Sequence, residues 1–172
     1  MSGDKGRIYW DTNIFIAWLK DEQRKLGEMD GVREYVEKAM KGEIVLVTSV
    51  MTKIEVLRCK MPARAEELFA KLLKRRNVRA QPLDIRVADI ANQIRDYYQR
   101  QGVVDGLPTV STPDATHLAT AILYEVDEFH TFDEKDKPDS RGLIPLSGNV
   151  AGYNLIICKP EAKQLGLDLK KS

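Results

Sequence analysis

At 172 residues the chain suits one domain, since two would each be too small to bury a good core. Apolar residues make up 43% and charged residues 31%, and 27 basic against 26 acidic side chains leave a net charge of +1. A disordered chain and a polycation are therefore excluded, and any contact with nucleic acid has to come from a local patch. Residues 1–7 are polar, and the first apolar run after Asp11 covers only Ile14 to Leu19, too short for a secretory leader or a bilayer span. Residues 7–10 (RIYW) read as a short strand ending at Asp11. Ile14, Phe15, Trp18 and Leu19 then give residues 12–20 the stripe of a helix. A second helix is expected over residues 31–40, with Asp30 as N-cap and Gly42 just past its end. Residues 44–47 (IVLV) form a continuous apolar run, the pattern of a strand covered on both faces.

Thr48 and Ser49 follow as helix-capping residues, and residues 50–59 read as a helix whose buried stripe is Val50, Ile54 and Leu57. Pro62 at the first helical position opens another helix reaching Arg76, and residues 77–81 read as a strand. Asp84 caps a long helix that Gly102 ends. A loop with Asp105, Gly106 and Pro108 leads to a helix begun by Thr112 and Pro113 and reaching Tyr124. Residues 128–132 are a strand ending at Asp133, and residues 154–158 (NLIIC) are the last strand before Pro160. Neither a repeat nor a low-complexity linker divides the chain, so one domain is expected over residues 1–172, with a core at 7–158 and a short C-terminal tail. Cys59 and Cys158 show no CxxC or Cys/His metal spacing, which reads as two reduced thiols in a cytoplasmic protein, with one distant disulfide as the alternative.

Short strands alternating with helices predict an α/β domain with a mainly parallel sheet. Right-handed crossovers bring the strand C-termini to one edge, where open α/β sheets hold their sites. Four acidic residues fall there. Asp11 ends the first strand in Ile8-Tyr9-Trp10-Asp11-Thr12-Asn13, and Glu55 lies two turns into the helix after the second. Asp114 sits in the first turn of its helix, and Asp133 ends the strand His130-Thr131-Phe132-Asp133. Each alone reads as a turn residue, a solvated charge or a complement to a helix dipole. Together they repel one another unless a cation sits between them, and an all-oxygen cluster suits Mg²⁺ or Mn²⁺ rather than Zn²⁺. His117, three residues after Asp114, reads first as a packing residue and second as a site residue. With two histidines in the chain, a zinc centre is disfavoured.

The strings Tyr9-Trp10-Asp11-Thr12-Asn13, Ser49 to Glu55, Pro113-Asp114-Ala115-Thr116-His117-Leu118-Ala119 and Thr131-Phe132-Asp133 resemble the four acidic motifs of PIN-domain nucleases. In order and rough spacing they are similar to the toxin-type members, the VapC-like ribonucleases of toxin–antitoxin pairs. The resemblance spans residues 7–158. It implies a three-layer α/β/α fold around a parallel sheet of about five strands. It also implies a Mg²⁺- or Mn²⁺-dependent endoribonuclease that hydrolyses phosphodiester bonds in RNA, usually a homodimer, with a small antitoxin protein as partner of the toxin-type members. Carried onto this chain, the catalytic residues are Asp11, Glu55, Asp114 and Asp133. Of these, Asp11, Asp114 and Asp133 hold the metal, and Glu55 is either a ligand or the general base. Asn13 and Thr131 support them.

Residues 53–79 hold nine basic residues against three acidic ones, so this stretch carries +6 and the rest of the chain −5. Arg58, Lys71, Lys74, Arg75 and Arg76 are the expected contacts to RNA phosphates. The alternative is a solvated helix face whose last turn complements its dipole. Two rival functions remain. A phosphatase of the haloacid-dehalogenase type needs a second Asp two residues after the first, where Asn13 stands. An inactive PIN-like binding or scaffold module lacks one or more acidic positions, and all four are filled here.

Overall fold

The computed structural model describes residues 5–162, so the expected C-terminal tail lies almost wholly outside the described residues. Five strands, β1 (Arg7–Trp10), β2 (Val45–Ser49), β3 (Val78–Gln81), β4 (Glu128–His130) and β5 (Ile156–Cys158), form one sheet in the order β3-β2-β1-β4-β5. Every neighbouring pair is parallel. Six α-helices connect them: α1 (Thr12–Lys20), α2 (Glu28–Lys41), α3 (Val50–Arg58), α4 (Ala65–Leu73), α5 (Ile85–Asp105) and α6 (Thr112–Leu123). Among the described residues no helix is long and apolar enough to cross a membrane. Both cysteines are free thiols.

The period of two along each strand sorts its side chains onto the two faces. Ile8, Trp10 and Leu46 pack with Ile14, Phe15, Val32, Val56 and Phe69 of α1 to α4. Tyr9, Val47, Phe129 and Ile157 pack with Val87, Ile94, Leu118 and Ala119 of α5 and α6. The three-layer α/β/α architecture follows, because strands apolar on both faces need helices on both. Since all five strands run the same way, their C-terminal ends share one edge, and β1 at the centre delivers Asp11 to the middle of it.

Several local expectations are corrected. α2 begins at Glu28 behind Gly27 in the left-handed region, so Asp30 lies in the first turn and complements the dipole instead of capping it. α4 begins at Ala65 behind Arg64, also left-handed, and Pro62 precedes the helix rather than opening it. Gly102 does not end α5, which runs on to Asp105 and stops at Gly106. Gly102 instead marks a close approach: a Cβ there would lie 2.5 Å from the carbonyl oxygen of Leu107. The expected strand over residues 128–132 ends at His130.

The largest correction concerns α3. Its buried residues are Thr52 and Val56, while Val50, Ile54 and Leu57 are exposed. Thr52 is satisfied in the core because it donates to the Thr48 hydroxyl at 2.7 Å, which in turn donates to the Trp10 carbonyl at 3.0 Å. With the Thr12 hydroxyl as its second partner at 3.4 Å, Thr52 can be buried at little cost. The inward face is therefore 52, 55, 56 and 59, and it carries Glu55 toward the sheet edge.

Candidate active site

Asp11 follows β1 directly and is the N-cap of α1, so it turns from strand to helix at the sheet edge. It is 5% exposed. One carboxylate oxygen accepts the Thr12 N–H at 2.7 Å. The other accepts from Asn13 Nδ2 at 2.8 Å and from the Thr131 hydroxyl at 2.7 Å. Asn13 also donates to Thr131 Oγ1 at 2.8 Å and accepts the Phe132 N–H at 3.1 Å, so it laces the end of β1 to the segment after β4. As an amide that donates to Asp11, it cannot serve as the acid a dehalogenase-type phosphatase requires at that position.

Glu55 accepts hydrogen bonds from the Thr12 hydroxyl and from His117 Nε2, the latter at 3.1 Å. The other ring nitrogen of His117 meets the Tyr9 hydroxyl at 2.7 Å, and Nε2 lies 3.9 Å from Asp11. His117 is thus buried, as a packing residue would be, and also hydrogen-bonded to the Glu55 carboxylate. Asp114 stands in the first turn of α6, capped by Ser111, and its carboxylate accepts from the hydroxyls of Ser111 and Ser140. The buried Asp133 pairs with Lys137 at 3.1 Å, and its main-chain carbonyl accepts from both Leu143 and Ile144.

The protonation energetics tie these groups into one cluster. Burial pushes the Asp11 carboxyl above the ordinary aspartate range, with the charge of Asp114 adding to it, against the pull of His117 and Thr131. Burial raises Asp133 as well, again with Asp114 contributing and Lys137 opposing. Burial also works against ionised Glu55, but the hydrogen bonds from His117 and Thr12 outweigh it and hold this carboxyl below its usual value. In His117 burial disfavours the imidazolium, yet the Glu55 bond and the Asp11 charge prevail and raise it. Lys137 rises too, because Asp133, Asp114 and Asp11 overcome its burial.

A hard divalent ion fits this donor set. The donors are carboxylate oxygens throughout, and Asp114 adds its negative charge to the surroundings of both Asp11 and Asp133. The carboxylates stand wider apart than a closed ligand cage: among the described residues only Glu128, His130 and Cys158, outside this cluster, offer three ligand atoms within 4.8 Å of one another. Wide spacing suits Mg²⁺, which keeps several waters and takes one or two carboxylates directly.

The basic stretch divides. Arg58 is exposed on α3, and its charge helps hold Glu55 ionised. Lys71, Lys74 and Arg76 are exposed around the end of α4. Arg75 is half-buried and donates to the Met40 carbonyl, so it ties the end of α4 to α2. Sequence reasoning missed Tyr9, Lys137, Ser111 and Ser140 as neighbours of the acidic residues. The one available signal was helical spacing, which puts His117 on the same face of α6 as Asp114; residues 133–137 are irregular, so no period marked Lys137.

No curated protein matches this chain. Among solved structures it is similar to VapBC2 from Rickettsia felis bound to a DNA fragment from their promoter, with a TM-score of 0.60 and 13% identity over 88% of this chain and 97% of that one. FitAcB from Neisseria gonorrhoeae superposes with a TM-score of 0.55 and 17% identity over 89% of this chain and 97% of that one. FitAB bound to an IR36 DNA fragment gives 0.52 and 17%, over 89% and 94%. At these identities the likeness speaks for the fold. The sequence itself matches the PIN domain family over residues 8–137, a stretch that begins in β1 and reaches past Asp133 to Lys137. With that match over most of its length, and with an acidic residue at the end of β1 in the middle of an all-parallel sheet, the chain belongs to the PIN-domain family.

Proposed function

We propose that this chain is a Mg²⁺- or Mn²⁺-dependent endoribonuclease and the toxin of a toxin–antitoxin pair, acting in the cytoplasm. The observation that carries this reading is Asp11: a buried carboxylate at the central strand end, gripped by Thr12, Asn13 and Thr131 and felt electrostatically by Asp114. Asp11, Asp114 and Asp133 would hold the ion, which when bound acidifies a water and offsets charge on the phosphoryl oxygens. Glu55 is kept ionised by His117 and Thr12, and its side chain remains a quarter exposed, so it is placed to take the proton of the attacking water. His117 holds one Glu55 oxygen and leaves the other free for that task. Lys137, paired with Asp133 at 3.1 Å, would compete with the ion for that carboxylate.

Partners follow the same reading. The likeness to VapBC2 and FitAB supports a small antitoxin protein. Exposed Ile54 and Leu57 on α3 and Leu68 on α4 supply apolar surface for a second copy of the chain in a homodimer. Exposed Arg58, Lys71, Lys74 and Arg76 supply the charge for RNA. The test is cleavage of mixed single-stranded RNA by the purified chain with Mn²⁺ and with chelator, beside Asp11→Asn and Glu55→Gln. Metal-dependent cleavage lost in both variants is expected. Cleavage that persists in chelator, or in folded Asp11→Asn at the parental rate, overturns the reading.

A further inference from the structure

A second cluster of ligating side chains lies on the face of the sheet away from α5 and α6. β4 and β5 pair in parallel with His130 opposite Cys158 and Glu128 opposite Ile156. Residues 128, 130 and 158 therefore project to the same side. Glu128 Oε2 lies 2.8 Å from His130 Nε2 and 3.9 Å from Cys158 Sγ, and one ligand atom from each of the three falls within 4.8 Å of the others. The His130 ring is fully buried, with the edge-on Tyr35 ring at 4.6 Å between centroids, and its Nδ1 has no hydrogen-bond partner. Buried ring nitrogens ordinarily find one.

We propose that Glu128, His130 and Cys158 form a binding site for a borderline-soft divalent ion of the zinc class, distinct from the acidic cluster, which staples the edge strand β5 to β4. The donor chemistry distinguishes it from the acidic cluster. A carboxylate oxygen, an imidazole nitrogen and a thiolate sulfur suit Zn²⁺, whereas the acidic residues offer oxygen alone. Tetrahedral bonds of zinc length put the nitrogen and oxygen roughly 3.3 Å apart and the oxygen and sulfur roughly 3.6 Å apart. From 2.8 and 3.9 Å each pair needs to move by only a few tenths of an ångström.

On binding, the ion would replace the hydrogen bond between His130 Nε2 and Glu128, and the ring proton would move to Nδ1, the nitrogen that no hydrogen bond occupies. The Cys158 proton leaves to solvent. Without an ion the thiol is inert, since burial and then the charges of Glu128 and Glu161 push it up to about 12. An ionised Glu128 and a Cys158 thiolate together balance a divalent charge. Access comes from the sheet edge, where Ile156 is exposed and Cys158 only half-buried. The gain falls where the fold is thinnest: β5 has three residues and pairs on one side alone.

The experiment is titration of the reduced, chelator-stripped chain with Co²⁺, followed by its thiolate-to-cobalt charge-transfer absorption, then displacement with Zn²⁺. One equivalent of Co²⁺ should produce the band, and Zn²⁺ should remove it. The band should survive in Cys59→Ser and in Asp11→Asn and vanish in Cys158→Ser. Glu128→Gln should weaken Co²⁺ binding by about ten- to a hundredfold, since losing even an outer partner of a metal has that effect. Circular dichroism checks each variant, and Glu128→Gln carries the test if Cys158→Ser does not fold. Absence of the band in the parent, its persistence in Cys158→Ser, or unchanged affinity in Glu128→Gln overturns the proposal. The acidic cluster has no sulfur, so none of these outcomes depends on the nuclease reading.

Discussion

His117 and Glu55 stand 62 residues apart in the chain, and their side chains meet at 3.1 Å between Nε2 and Oε2. Behind His117 the Tyr9 hydroxyl closes the chain of contacts, and Tyr9 is itself fully buried against Phe129. The Glu55 carboxylate is thus braced from the core of the sheet. His117 is a positioning residue in this arrangement: it acts through Glu55.

His117→Gln should lower kcat about ten- to a hundredfold with KM little changed, the scale of misplacing a reacting group by an ångström. Its pH signature separates this from general damage. The imidazole is held above its ordinary 6.5, so its stabilising charge is fully present below that value and is lost as pH rises through the raised one. The parent's Tm should fall across that interval and the variant's should not. Parallel slopes in thermal melts would contradict the assignment.

Asp11→Asn should abolish metal-dependent cleavage and change the pH dependence of stability. The folded Asp11 carboxyl lies above its ordinary 3.8, so its ionisation opposes folding increasingly as pH rises from there through the raised value. Removing the charge should shift the difference in Tm, variant minus parent, in the variant's favour over that range in chelator. A difference that stays constant with pH would show Asp11 to be an ordinary solvated carboxylate.

Mn²⁺ should stabilise the parent by about 2.7 kcal/mol at a hundredfold excess over its dissociation constant. Lys137 competes with the ion for Asp133. Lys137→Gln should therefore tighten Mn²⁺ binding on the order of thirtyfold, the effect of removing about 2 kcal/mol of repulsion between a single and a double charge at 4 Å in water. Calorimetric titration of both proteins checks it, and weaker binding by the variant would make Lys137 a support of the site.

The basic residues should separate by function. Replacing Lys71, Lys74 and Arg76 with Gln should weaken binding to all single-stranded RNAs alike, and lower the slope of log affinity on log salt by roughly 0.7 per lost contact. Arg75→Gln should leave that slope unchanged and cost about 1 kcal/mol of stability through the lost bond to the Met40 carbonyl. Denaturant unfolding beside salt-dependent binding distinguishes the two.

The alternation of short apolar strands with amphipathic helices was legible in the chain, because burial on two faces requires unbroken runs such as residues 44–47. The placing of Asp11 and Asp133 after strands and of Asp114 in a first helical turn was legible for the same reason, since those positions are set locally. The rotation of α3 was not. Val50, Ile54 and Leu57 make a plausible apolar stripe, and only the partners Thr48 and Thr12, brought in by β2 and α1, allow Thr52 inside and turn Glu55 toward the site. Arg75 looked like its basic neighbours until the packing of α4 against α2 gave it a carbonyl. The contacts of His117 with Tyr9 and Glu55, and the meeting of Glu128, His130 and Cys158, likewise depend on strand register and sheet order. Hydrophobic periodicity is a property of neighbours along the chain. Hydrogen-bond partners for buried polar groups come from distant segments, and they decided which way each chemically active side chain points.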